Sequence, residues 1–105
     1  WAPFFGRPAY SMTLAARLAL QSGAPVLLAR CERLPAGRGY RLFLSPLAEP
    51  IPAAAADDEA LQRAQAAVIN RAMEQQIRQC PEQYLWGYNR YKLPRGSPPG
   101  TAPPP

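Results

Sequence analysis

The chain has no histidine in its 105 residues and only two cysteines, and each scarcity removes a class of chemistry. Without imidazole it lacks the one side chain whose ordinary pKa suits a general base near neutral pH, so it is not expected to supply such a base. Cys31 and Cys80 are too few for a disulfide framework. They stand in no C-x-x-C pair and have no histidine to complete a zinc site, so both are expected as reduced, packed thiols, with no metal and no cofactor. No apolar run is long enough to span a bilayer, because Arg17 interrupts the first candidate and Arg30 the second. Trp1–Phe5 lacks the basic start and long apolar middle of a signal peptide. The chain begins at Trp1 with no initiator methionine, and the expectation is a piece of a longer protein.

Positive charge is plentiful, and it is unevenly placed. Eleven arginines and one lysine stand against seven acids, for a net charge of +5. From Ala60 onward the only acids are Glu74 and Glu82, so the C-terminal half carries most of the excess. A basic face of this kind attracts phosphates, anionic lipid headgroups or acidic proteins.

Periodicity orders the elements as an α/β unit. Residues Trp1–Ala9 read as an aromatic, proline-containing loop. A helix follows from about Tyr10 to Ser22, with Ser11 as N-cap, Gly23 as its left-handed stop, and Leu14, Ala15 and Leu18 as a stripe that needs a sheet to cover. Val26, Leu27 and Leu28 form the apolar run of a buried strand, Pro25–Arg33, and Leu34–Gly39 loops back into a return strand, Tyr40–Leu44. After a linker, Asp57, Asp58 and Glu59 open a long amphipathic helix ending near Cys80, with Leu61, Ala64, Val68, Ala72, Met73 and Ile77 at spacings of three and four. Pro81 starts a short second turn that Trp86 closes. Pro94–Pro105 is too rich in proline and glycine to join a core and is expected as a disordered tail.

One string is more specific than any of these patterns: Pro81-Glu82-Gln83-Tyr84-Leu85-Trp86, followed by Arg90-Tyr91-Lys92. With Phe4-Phe5-Gly6 before the first helix, Gly23-Ala24 entering the strand, Glu32-Arg33 at its end and Gly39-Tyr40 opening the return strand, it resembles the lipid A biosynthesis acyltransferases of Gram-negative bacteria. The resemblance covers residues 1–93 and follows the order of that family's C-terminal portion. It departs from the family at Tyr88, where histidine is common, and at Tyr91, where phenylalanine is common. A proline often found in the matching strand is also missing between Val26 and Arg33.

The resemblance implies transfer of a fatty acyl chain from an acyl-carrier-protein thioester to a hydroxyl of a phosphorylated glycolipid acceptor, at the cytoplasmic face of the inner membrane. The family's catalytic His-x-x-x-x-Asp or Glu motif is not in this chain, so no catalytic residue is assigned to it, and the chain is expected to be inactive alone. Arg33 and Arg7 become the candidate substrate-binding residues, because guanidinium forks hold phosphate oxygens in pairs. Arg71 and Arg78, two turns apart on one helix, are a candidate docking pair for the acidic carrier protein. Tyr84, Trp86, Arg90, Tyr91 and Lys92 read either as a structural clasp or as a membrane-surface patch. Their alternative without the family is a non-catalytic basic and aromatic module on a membrane surface. No nucleic-acid-binding motif surrounds them, and no nucleic acid partner is expected.

Overall fold

The computed structural model describes residues 1–103. The fold is α/β, with two small antiparallel sheets and two helices, and the expected succession of helix, β-hairpin and long helix is present.

An additional hairpin precedes it where the sequence reads as a loop. β1 (Ala2–Phe4) pairs with β2 (Arg7–Ala9), and Phe4 lies opposite Arg7. Only Phe5 and Gly6 join them, with φ of 47° and 74°. Positive φ at both positions is the primed turn whose twist matches paired strands, usually built from Asn-Gly or Gly-Gly. Phenylalanine in the first position hides that signal. Its cost is offset locally, since the Phe5 amide donates to Glu74 Oε1 at 2.6 Å.

The first helix, α1 (Leu14–Ser22), starts four residues later than the sequence suggests. Ser11 does not cap it. Its hydroxyl instead donates to the Ala9 carbonyl at 3.1 Å, while Thr13 sits at the N-cap without a side-chain bond. Gly23, with φ of 68°, ends the helix as expected and gives its amide to Ala19. No sheet covers the stripe of Leu14 and Leu18, which are 44% and 54% exposed; α1 buries only Ala16 and leans on the second helix.

β3 (Leu27–Arg33) and β4 (Tyr40–Pro46) form the second hairpin, in the register Leu27 to Pro46 through Arg33 to Tyr40. It is not the buried strand that Val26–Leu28 suggests. Burial alternates along β3 because only one face meets the rest of the chain. On that face Arg30 stacks 3.9 Å over the Phe43 ring and bonds Glu32 at 3.2 Å. The other face carries Leu27, Leu42 and Leu44 at 58–62% exposure, and Cys31 lies exposed there rather than packed.

α2 (Asp58–Gln79) is the spine. Asp57 caps it by accepting the Ala60 amide at 2.8 Å, with acids in the first turn and Arg78 in the last, each favoured by the helix dipole. The buried set is wider than a single stripe: Ala66 and Val68, about 200° apart around the axis, are both buried. The reason is that α2 has neighbours on several sides. β1 lies on it with Ala2 against Ala66 and Ala67, small residues that let the backbones approach. The linker crosses elsewhere, held by Gln65 Nε2 on the Pro52 carbonyl at 3.0 Å and by Arg71, which grips both Glu49 oxygens at 2.9 Å. Among the described residues no helix is long and apolar enough to cross a membrane.

The proline turn at Pro81–Gln83 is a short 3-10 segment, and Trp86 closes it by giving its indole N–H to the Pro81 carbonyl at 2.7 Å. Past Leu93, two turns bond Ser97 to the Pro94 carbonyl and Thr101 to that of Pro98. The expected tail ends at Pro104 and Pro105, which lie outside the described residues.

Candidate functional site

Where α1 leans on α2 and the C-terminal segment returns across both, a cleft of about 750 Å³ remains. That is within the range of roughly 300–1,000 Å³ usual for small-molecule sites. Leu14 and Leu18 from α1, and Ile69, Met73 and Ile77 from α2, give it hydrocarbon walls. Leu14 and Leu18 are the α1 stripe residues that lack a covering sheet, and Met73 belongs to the α2 stripe. Tyr84, Tyr88, Arg90, Lys92 and Arg95 close it from the C-terminal segment.

A polar node is set into this apolar surround. Asn70 is only 4% exposed, on the same side of α2 as Met73 and Ile77. Its Nδ2 donates to the Pro3 carbonyl at 3.1 Å and to Ser11 Oγ at 3.0 Å, and its Oδ1 accepts from Arg90 Nη2 at 2.9 Å. Arg90 also donates to Ser11 Oγ at 3.0 Å and to the Tyr10 carbonyl at 3.3 Å, and its guanidinium lies 5.0 Å from the Phe4 ring centroid. Three sequence-distant pieces thus meet at one amide. Every one of those acceptors is neutral, so the charge of Arg90 is solvated but not cancelled.

Trp86 and Tyr91 of the string face the N-terminal hairpin instead. Tyr91 donates its hydroxyl to the Phe4 carbonyl at 2.7 Å, and Trp86 stands 6.0 Å from the Phe5 ring and 4.8 Å from that of Tyr84. Tyr84, Tyr91 and Phe5 pack around the buried group of Phe4, Ala9 and Ile77. Lys92 Nζ rests 5.1 Å over the Tyr88 ring.

Arg7 and Arg33, the arginines the sequence singles out, do not line this cleft. Arg7 stacks 4.2 Å over the outer part of the clasp, at the Tyr91 ring. Arg33 has an exposed side chain, and its backbone is what matters locally. The Gln83 amide accepts the Arg33 N–H at 2.7 Å and donates to its carbonyl at 3.0 Å, standing in for a neighbouring strand. Arg71 is engaged by Glu49, which the guanidinium bond holds below its ordinary pKa, and Arg78 lies 5.3 Å over Phe5. Among the described residues there is no cluster of side chains that could hold a metal.

Comparison with known proteins settles the family. A family profile described as bacterial lipid A biosynthesis acyltransferase matches residues 1–93. The chain belongs to that family. It is 37% identical over 93 residues to a lipid A biosynthesis palmitoleoyltransferase of Escherichia coli (strain K12), and equally so to a lipid A biosynthesis acyltransferase of Shigella flexneri. Each match takes in 88% of this chain and 28% of the relative, so the chain spans under a third of the length of these relatives. No solved structure matches it.

Asn70 and Ser11 are members of the site that sequence reasoning missed. A mid-helix asparagine among apolar residues was the available signal, because burying an amide there requires partners for it.

Proposed function

We propose that this chain is the C-terminal portion of a lipid A biosynthesis acyltransferase and contributes substrate binding rather than proton transfer. The whole enzyme moves a fatty acyl chain from an acyl-carrier-protein thioester to a hydroxyl on a phosphorylated lipid A precursor, at the cytoplasmic face of the inner membrane. The hydroxyl oxygen attacks the thioester carbonyl, an ester forms, and the carrier thiol leaves with the proton. A base must take that proton as the bond forms, and histidine-free residues 1–105 leave that task to another part of the enzyme. What these residues offer is an acyl-sized apolar cleft with cations beside it. That observation, joined to the family match, carries the reading.

Contact with the membrane surface fits the same segment, since Leu85, Trp86 and Tyr88 are 73%, 58% and 53% exposed near Lys92. Snorkelling cations and amphipathic aromatics suit the headgroup zone.

The test is a chimera in which residues 1–93 replace the matching 93 residues of the Escherichia coli relative. Transfer from acyl-carrier-protein to a lipid A precursor is expected from the chimera and absent from the isolated chain. A folded, membrane-bound chimera without transfer would overturn the reading.

A further inference from the structure

The cleft has walls of one character and a rim of another. Leu14, Leu18, Ile69 and Met73 line it with hydrocarbon, and the one buried amide, Asn70, already has Pro3, Ser11 and Arg90 as partners. An alkyl chain lying there meets hydrocarbon and a buried amide whose hydrogen bonds are already made. Leucine and methionine side chains also adapt to its bends.

Three cations, Arg90, Lys92 and Arg95, line the same cleft, and none of its lining residues is acidic. The ion pairs among the described residues involve other arginines, namely Arg30, Arg63 and Arg71. Arg90 directs three bonds to neutral oxygens, which leaves two of its five N–H donors unspent. Positive charge against a low-dielectric wall attracts an anion more strongly than the same charge in open water. A dianionic head matches this cluster better than a single carboxylate, and guanidinium groups bind phosphate oxygens in pairs.

We propose that the cleft binds an amphiphile made of a linear alkyl chain and a phosphate head. The chain lies along Leu14, Leu18, Ile69 and Met73, and the phosphate meets Arg90, Lys92 and Arg95. This deepens the acyltransferase reading and rests on it for the natural ligand. It moves substrate recognition from Arg7 and Arg33 to the segment that follows the Tyr-Leu-Trp string.

The test is calorimetric titration of the full 105-residue chain with octyl, decyl and dodecyl phosphate below their micelle concentrations, beside decanol and inorganic phosphate. Decyl phosphate is expected to bind at least tenfold more tightly than decanol or phosphate. Each added pair of methylenes should tighten binding about fifteenfold. The double variant Lys92→Gln/Arg95→Gln, both at exposed positions, should weaken decyl phosphate about tenfold. Leu18→Glu, at a position 54% exposed and so tolerant of charge, should abolish the chain-length dependence. Inorganic phosphate binding as tightly as decyl phosphate would show a free-anion site and overturn the proposal. So would equal binding of decanol, or indifference to both variants. Titration requires no turnover, so an inactive chimera beside intact decyl phosphate binding by the chain refutes the enzymatic reading alone, whereas an active chimera beside a chain without such binding refutes this one.

Discussion

Replacing Asn70 with alanine deletes three hydrogen bonds at one buried point. The amide holds the Pro3 carbonyl, Ser11 Oγ and Arg90 Nη2 at 3.1, 3.0 and 2.9 Å, and it is itself 4% exposed. Each neutral bond contributes about 1 kcal/mol net and a charge-assisted one about 1.5–3 kcal/mol. Pro3 is exposed and Ser11 and Arg90 are half-buried, so water recovers part of the loss and the low end applies. The expected destabilisation is about 3 kcal/mol. For a unit of this size that lowers Tm by roughly 12–24 °C, a large part of the total stability of a small domain. Circular dichroism during thermal unfolding reads the shift. A cycle with Arg90→Met should give a coupling of about 1–2 kcal/mol, because both substitutions break the same contact. A fall in Tm of less than about 4 °C, or additive single effects, would refute the role of Asn70 as the tie between hairpin, α2 and C-terminal segment.

Two further outcomes follow from charge. The Arg71 bond holds the Glu49 carboxyl below its ordinary pKa of 4.5, so the folded state binds this proton less readily than the unfolded state. The Tm difference between wild type and Glu49→Gln should therefore be constant above about pH 5 and shrink as pH falls below 4.5, and a difference that grows on acidification would contradict the pairing. The Cys80 thiol donates to Glu82 Oε1 at 3.2 Å, and that bond, with desolvation as a lesser cause, pushes its pKa up. Alkylation at pH 8 should be slower at Cys80 than at exposed Cys31, and Glu82→Gln should accelerate it; equal rates with and without Glu82 would remove the effect.

Most of the central architecture was legible because it rests on local chemistry. Asp57 as N-cap, Gly23 as a left-handed stop and Pro81 after the long helix each act within a few residues of their position. The N-terminal hairpin was hidden because its turn places a phenylalanine where φ is positive, a choice supported by distant partners such as Glu74, 69 residues away, and Trp86. Strand burial was misread at Val26–Leu28 for a related reason. An apolar run reports that something covers a strand, and among the described residues the face holding Leu27, Leu42 and Leu44 is uncovered. The cleft was invisible as a unit, although most of its parts were named. Leu14, Leu18 and Met73 read as apolar helix stripes, and Arg90 and Lys92 as part of a clasp or membrane patch, since periodicity gives the face of an element but not what lies opposite.

The family string makes physical sense as a segment with two sides. It has almost no regular structure of its own: after the short turn at Pro81–Gln83 there is neither helix nor strand up to Leu93. Its path is fixed by side chains, with Gln83 on the Arg33 backbone, Trp86 on Pro81, Tyr91 on Phe4, and Arg90 on Ser11 and Asn70. Tyr91 and Arg90 are adjacent, and both reach β1, the first through the Phe4 carbonyl and the second over the Phe4 ring. The aromatics that latch the hairpin and the cations that border the cleft therefore cannot be repositioned separately. Loosening the latch would also carry Arg90 and Lys92 away from the cleft walls, so a clasp for the fold and a rim for the ligand are two consequences of the same dozen residues.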